Sequence, residues 1–466
     1  MYNAYVTRIK NLRKHPNADR LQLGECFGNT VCVSLEYADN QLGLYLPCDG
    51  QLSVEFAEVN NLLRKKDDAG NNCGGYMDPS KRNVTAIRLR GEKSDGLFLP
   101  LTCLESFGDV STLKEGDVIN TFNGHEICCK YIPRRNHRQG HVSDGNRTRK
   151  KKVDVAPLFA EHADTEQLAY NLGAFKPGDE IEITLKMHGT SQRTGYLPVF
   201  QGYKRTFKDW LFRRDGKPIY DWGYVSGTRR TVLEDYDGGY YGSNEFREQH
   251  SKTFEGKLWK GETVYYEVVG FTHTGAPIMA EGNNEKLGKD FVKQYGKTTV
   301  FSYGCDPEGE SFKHEYADCW DGMNVREFKP QSDIYVYRMT MTNEDGAIVE
   351  YTPDFMRYRC EQMGVKTVPV MWKGIIPAHT GDAAAIRLGQ DAGAWIKERA
   401  EQYYDGPDPI GKTHVREGVV VRILNRPKFT AYKHKNFSFK VLEGIIKDTA
   451  AAPDMEEAQE IEIEKE

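Results

Sequence analysis

Ile181-Glu182-Ile183-Thr184-Leu185-Lys186-Met187-His188-Gly189-Thr190-Ser191 is the stretch from which the rest of the chain is read. Its first half alternates apolar and polar residues. A period of two puts Ile181, Ile183 and Leu185 on one face of a strand and Lys186 on the other, at the strand's end. A turn follows, in which Gly189 lets the backbone approach a ligand closely. A nucleophilic lysine would be presented in this way; the alternative is an ordinary solvated strand-end lysine.

The hexapeptide Lys186-Met187-His188-Gly189-Thr190-Ser191 resembles the nucleotide-binding motif of the covalent nucleotidyltransferases: ATP-dependent RNA and DNA ligases and mRNA capping enzymes. The common form is Lys-x-Asp-Gly, and histidine stands here in the aspartate's place. Lys-x-His-Gly-Thr resembles one branch of RNA ligases, although Ser191 occupies a position where that branch often has asparagine. Further motifs follow in the family's order. Tyr265-Tyr266-Glu267-Val268-Val269-Gly270 resembles the third, Asp333-Ile334-Tyr335-Val336-Tyr337 the adenine-stacking strand, Glu417-Gly418-Val419-Val420-Val421-Arg422 the fourth and Lys433-His434-Lys435 the fifth.

Length and composition agree with this class. A chain of 466 residues can bury a sizeable core and suggests two domains. With 39% hydrophobic and 28% charged residues it reads as soluble, and it has neither a run of eighteen apolar residues nor an apolar start. No membrane association is expected, and the expected location is the cytoplasm, or a host's cytoplasm for a viral chain. The ten cysteines lack the spacing of a zinc site and read as reduced and mostly buried. A net charge of −5 argues against indiscriminate nucleic-acid binding but conceals local asymmetry. Eight Lys or Arg crowd Pro133 to Lys152, and seven acids crowd Asp454 to Glu466.

The expected fold class is α+β: an N-terminal OB-like β-barrel followed by a nucleotidyltransferase (ATP-grasp-like ligase adenylation) domain. Short alternating runs up to about residue 130 suggest the barrel. His15-Pro16-Asn17-Ala18-Asp19-Arg20-Leu21 resembles the OB-fold tRNA-binding modules appended to some aminoacyl-tRNA synthetases, which suggests RNA binding. The boundaries drawn are 1–132 for this module, 133–153 for a basic linker, 154–450 for the adenylation domain and 451–466 for an acidic, disordered tail. Gly393 to Tyr403 reads as an amphipathic helix. Little sequence follows Lys435, so the OB domain that DNA ligases and capping enzymes carry after that strand is not expected. The layout most resembles RNA ligases with an N-terminal OB fold.

The resemblance implies a chemistry. Lys186 attacks the α-phosphorus of ATP, forming lysyl-AMP, and the adenylate then activates an RNA 5′-phosphate for attack by a 3′-hydroxyl. An ammonium cannot attack, so the amine must lose its proton against a reference pKa of about 10.4. Lys433 and Lys435, two apart and therefore on one strand face, with a divalent Mg²⁺ or Mn²⁺, would supply positive charge beside the amine and the phosphates. Glu267 would meet ribose hydroxyls or metal-bound water, and Glu417 would help hold the metal. One of Tyr335 and Tyr337, with Tyr337 favoured, would stack on adenine. His188 would act in passing AMP to RNA. A phosphate clamp would come from Arg229 or Arg230 in Ser226-Gly227-Thr228-Arg229-Arg230, or from Arg193.

Tyr203 to Arg214 interleaves cations with aromatics, a mixture that suits nucleic acid. A helix with one buried aromatic face explains it nearly as well. The function expected is an ATP-dependent RNA ligase acting on RNA ends or a nicked duplex. The rival readings are a DNA ligase or guanylyltransferase, and a non-catalytic RNA-binding protein with a decayed transferase domain.

Overall fold

The computed structural model describes residues 2–67, 70, 73–132, 153–162, 165–212, 216–233, 236, 244–272, 276–301, 303, 332–377, 392–411 and 414–449. The basic stretch 133–152, the acidic tail 451–466, and Arg213 and Arg214 lie outside them. The architecture is mixed α/β, rich in strands and sparing in helices. Among the described residues no helix is long and apolar enough to cross a membrane.

The chain forms two compact units. The first takes the described parts of Met1–Arg135, Gly282–Thr298 and Asn436–Pro453. Its central sheet is antiparallel, in the order Leu97–Pro100, Leu42–Leu46, Ala4–Arg8, Val118–Ile119. Alternation in these strands turns Ala4, Val6, Leu44, Leu46 and Leu99 into one core with Phe56 and Leu104. Further strands pair in separate small sheets, and no closed barrel forms among the described residues. The expected barrel strands are present, but their pairing is broken between sheets. The helix Phe437–Thr449 belongs to this unit: Lys440 Nζ donates to Asp95 Oδ2 at 2.6 Å, and Phe437 lies under Arg88 and Lys93.

The second unit is built on two sheets. One has the order Glu166–Gln167, Thr430–Lys435, Gly418–Ile423, Glu180–Lys186, Val370–Ile375, antiparallel except for its first pair. Ile181, Ile183, Val419, Val421 and Ile423 share its buried face and pack on Ile396 and Ala400. Those two belong to the helix Ala392–Glu401, where the sequence pattern places one. The other sheet runs Lys217–Gly227, Thr190–Lys204, Glu262–Gly270, Ser332–Thr342, Ile348–Glu350. Val264, Tyr266, Val268, Ile334 and Val336 pack there on Met356, Cys360 and Met363 of the helix Pro353–Met363. That helix is bounded by its own sequence: Thr352 accepts from Phe355 N, Pro353 takes the first turn, and Gly364 closes it at φ 71°.

Candidate active site

Three strand ends meet in the first sheet. In register, Lys186 pairs with Gly418, and Gly418 pairs with Lys435. Paired residues project to the same side, so the two lysines stand on one face, with Glu417 one residue before the glycine. Lys186 Nζ lies 2.7 Å from Glu417 Oε1, and Lys435 Nζ lies 3.3 Å from the same oxygen. His188 Nδ1 faces the other oxygen at 3.5 Å, beyond a good hydrogen bond. Glu417 Oε2 makes no hydrogen bond among the described residues.

Glu417 is 2% exposed. Burial alone would raise its pKa, but Lys186, Lys435 and His188 override burial and hold the carboxyl far below its usual range. The three sequence motifs therefore converge on one acid whose charged form the neighbouring cations favour. Gly418 makes the convergence possible. A Cβ there would lie 2.1 Å from the His434 carbonyl oxygen, and its φ of 149° disfavours an L side chain. Lys433, in register with Val420, shares the face of Lys435 two residues along.

Gly189 also has a packing use that its place beside the lysine does not show. The space beside its Cα is filled from within: a Cβ would lie 2.4 Å from Val268 O and 2.8 Å from Glu267 Cγ. The glycine lets Thr190–Lys204 start tightly against Glu262–Gly270. In that pairing Ser191 opposes Glu267, and Glu267 opposes Tyr335, which brings the half-buried Glu267 alongside the turn after Lys186.

Tyr335 and Tyr337 part company here. Tyr335 is buried, with Lys366 Nζ 5.6 Å from its ring centroid. Tyr265 pairs with Arg338 and Tyr266 with Val336, so Tyr337 is the extra residue of a bulge. Bulges re-aim side chains beside functional sites. Tyr337 is half-exposed, its hydroxyl 3.0 Å from Ser191 Oγ and its ring 5.0 Å from His162.

Arg193 departs from the expected phosphate clamp. It is 1% exposed and lies 4.1 Å over the Phe159 ring. It donates to Thr228 O at 2.9 Å, Phe159 O at 2.8 Å, Arg230 O at 3.0 Å and also to Ala160 O. With its fork committed to backbone carbonyls, it shapes the tight loop at the end of Lys217–Gly227. That loop is closed by Thr228 N donating to Thr231 O at 2.8 Å, and it carries the half-buried Arg229 and Arg230.

Sequence reading missed the brace beneath this site. The His188 ring packs edge-on against Phe301 at 4.5 Å, and Phe301 against His414 at 5.0 Å. Tyr303 packs on His414 at 4.6 Å, donates to Asp408 Oδ2 at 2.8 Å and accepts from the His188 backbone N–H. Asp408 Oδ1 accepts from Ile410 N and Gly411 N. Burial, and then Asp408, keep the Tyr303 phenol protonated, while burial keeps His414 neutral. Arg247, 2% exposed, braces the other side: it donates to Ser191 O at 3.1 Å and Thr190 Oγ1 at 2.5 Å. Phe301, Tyr303, Asp408, His414 and Arg247 sit in none of the motifs; a buried Asp or Arg shows itself only once its partners are placed.

No protein-family model matches the chain, and no curated protein does. Solved structures do. A variant of Naegleria gruberi RNA ligase with ATP and Mn is 15% identical, with a TM-score of 0.51 over 94% of this chain and 98% of that one. A second variant with AMP and Mn is 15% identical, with a TM-score of 0.52 over 94% and 97%. A third, again with ATP and Mn, is 15% identical, with a TM-score of 0.51 over 96% and 99%. The chain has the fold of these structures over nearly its whole length.

Proposed function

We propose that the chain is an ATP-dependent RNA ligase that joins 5′-phosphate to 3′-hydroxyl ends through a Lys186-AMP intermediate. The single observation that carries the reading is Lys186 and Lys435 converging on one buried glutamate, in a fold shared with an RNA ligase solved with ATP, AMP and manganese. In the first step an N–P bond forms between Lys186 Nζ and the α-phosphorus, the bond to pyrophosphate breaks, and the amine gives up a proton. Glu417, held in its charged form by the two lysines, holds and aims Lys186, and the amine's proton passes to solvent. Lys435 and Lys433 then stand where phosphate charge develops.

The donor set also suits a divalent ion. Glu417 offers a buried oxygen without a hydrogen bond, Glu267 lies alongside, and among the described residues no cluster of three or more His, Cys, Asp or Glu is preformed. Two carboxylates suit an ion that brings water and nucleotide phosphates as its remaining ligands, as Mg²⁺ and Mn²⁺ do. Such an ion would supply Lewis acidity at the phosphates. Tyr337 serves as the adenine platform, Arg229 or Arg230 as the phosphate clamp, and His188 in the transfer of AMP to RNA.

Residues 1–132 serve as an OB-like RNA-engaging module, 133–153 as a basic linker and 154–450 as the adenylation domain, in a protein of the cytoplasm. The non-catalytic reading is disfavoured by the intact acid and lysines. Intact-mass analysis after incubation with ATP and Mn²⁺ tests the proposal: an added AMP on Lys186, located by fragmentation, is expected. An unmodified chain, or an adduct formed from GTP instead, would overturn it.

A further inference from the structure

The strands Thr190–Lys204 and Lys217–Gly227 form a long hairpin whose near end lies just after Lys186. At about 3.3 Å per residue, the fifteen-residue strand carries its far end roughly 45 Å along. The tip is the helix Phe207–Leu211. Sequence allowed two explanations for its mixture of rings and cations, and exposure separates them. Phe207 is 75% exposed, Trp210 67% and Leu211 58%, so no buried aromatic face exists there.

The helix is nonetheless a built one. Thr206 Oγ1 accepts from Asp209 N at 3.3 Å, and Asp209 Oδ2 accepts from Thr206 N at 2.9 Å and Thr206 Oγ1 at 2.6 Å. The capping box fixes the helix, and Lys204, Lys208 and Lys217 are exposed around it. Lys204 and Lys217 are direct cross-strand partners, an arrangement that destabilises a strand pair unless an anion lies across it. With Lys208 they make three lysines, none of which forms an ion pair among the described residues. Exposed rings beside uncompensated cations are complementary to a polyanion that also offers flat apolar faces.

We propose that this hairpin tip docks single-stranded RNA, with Phe207 and Trp210 stacking on unpaired bases while Lys204, Lys208 and Lys217 meet phosphates. The two rings, 5.8 Å apart and tilted by 31°, offer neighbouring stacking faces. The tip would hold a strand well beyond the ends being joined, so the proposal rests on the reading that the chain acts on RNA.

The test uses the full chain carrying Phe207→Ala with Trp210→Ala, or Lys204→Ala with Lys208→Ala. Anisotropy of a labelled single-stranded RNA is measured over a salt series, and adenylation is followed by intact mass. The aromatic pair should weaken RNA binding by at least about 30-fold with adenylation unchanged. The lysine pair should reduce the slope of log affinity against log salt by about 1.4. RNA affinity equal to wild type in both variants would overturn the proposal. So would variants whose only loss is self-association in sedimentation, or binding to phosphatidylserine vesicles. A wild-type chain that binds RNA through the tip but takes up no AMP would instead overturn the ligase reading and leave this one standing.

Discussion

Lys186 Nζ and Glu417 Oε1 lie 2.7 Å apart because the strands carrying them end side by side, Lys186 in register with the glycine that follows the acid. In the proposed chemistry the pair, joined by Lys435 at 3.3 Å, holds the central place, and its removal gives the first expectation. Lys186→Ala should abolish AMP uptake while the chain stays folded, since the lysine is partly exposed. Glu417→Gln should both abolish uptake and destabilise the fold by about 3 kcal/mol, because two lysines then face a buried neutral amide. Intact mass and denaturant unfolding would separate the two effects; an E417Q protein that charges normally would refute the assignment.

Gly418→Ala should be among the most damaging single-methyl changes in the chain. The added Cβ would meet the His434 carbonyl oxygen at 2.1 Å, a backbone atom that cannot step aside without breaking the pairing to Thr430–Lys435. A loss of more than about 3 kcal/mol is expected, together with loss of AMP uptake. Thermal unfolding within a degree or two of wild type would show the register to be wrong.

Arg193→Lys is conservative in charge and should not be so in effect. One ammonium cannot replace a planar fork that bonds four carbonyls, and buried acceptors left without donors each cost about 1 to 3 kcal/mol. A stability loss of about 3 kcal/mol is expected, with faster proteolysis near Arg229 and Arg230. Were Arg193 a phosphate clamp, the variant would keep its stability and lose only ATP affinity.

Tyr303→Phe removes the donor to Asp408 and the acceptor of the His188 N–H. Orphaning these buried groups should cost about 2 kcal/mol. Because His188 rather than Lys186 rests on this brace, single-turnover measurements should find AMP transfer to RNA slowed more than lysine charging. Equal slowing of both steps would count against a positioning role.

Stability should fall as pH drops from 6.5 towards 4. Burial pushes the His250 pKa from 6.5 down to about 4, with Ser332 Oγ 2.8 Å from its Nε2, and burial lowers that of His414 as well. A histidine kept neutral by the fold binds its proton on unfolding, so its stabilisation is complete above the unfolded value and disappears as pH falls through the folded one. For His250 that amounts to at most about 3 kcal/mol. Urea unfolding at several pH values should show the slope, and His250→Gln should flatten it.

The strand ending in Lys186 and the spacing of Lys433 and Lys435 were legible as a period of two, and the runs after Glu267 and Glu417 as short continuous apolar segments, all of them local patterns. Arg193 and Gly189 have structural uses that the sequence did not show, for a shared reason. Both sit near Lys186 in sequence, and proximity along a strand does not say which neighbour fills the space next to a residue. Tyr337 was favoured from the sequence, but its difference in exposure from Tyr335 follows from a bulge, which a periodic pattern cannot announce.

By itself the sequence determined that strands form here and which residue types stand at their ends, since alternation and turn chemistry act over a few residues. Only the tertiary structure decided that Lys186, Lys435 and His188 share one acid, that Arg193 points inward and that the rings of the hairpin tip point out. Those outcomes depend on strand register and burial, which are set by pairing between segments far apart in the chain.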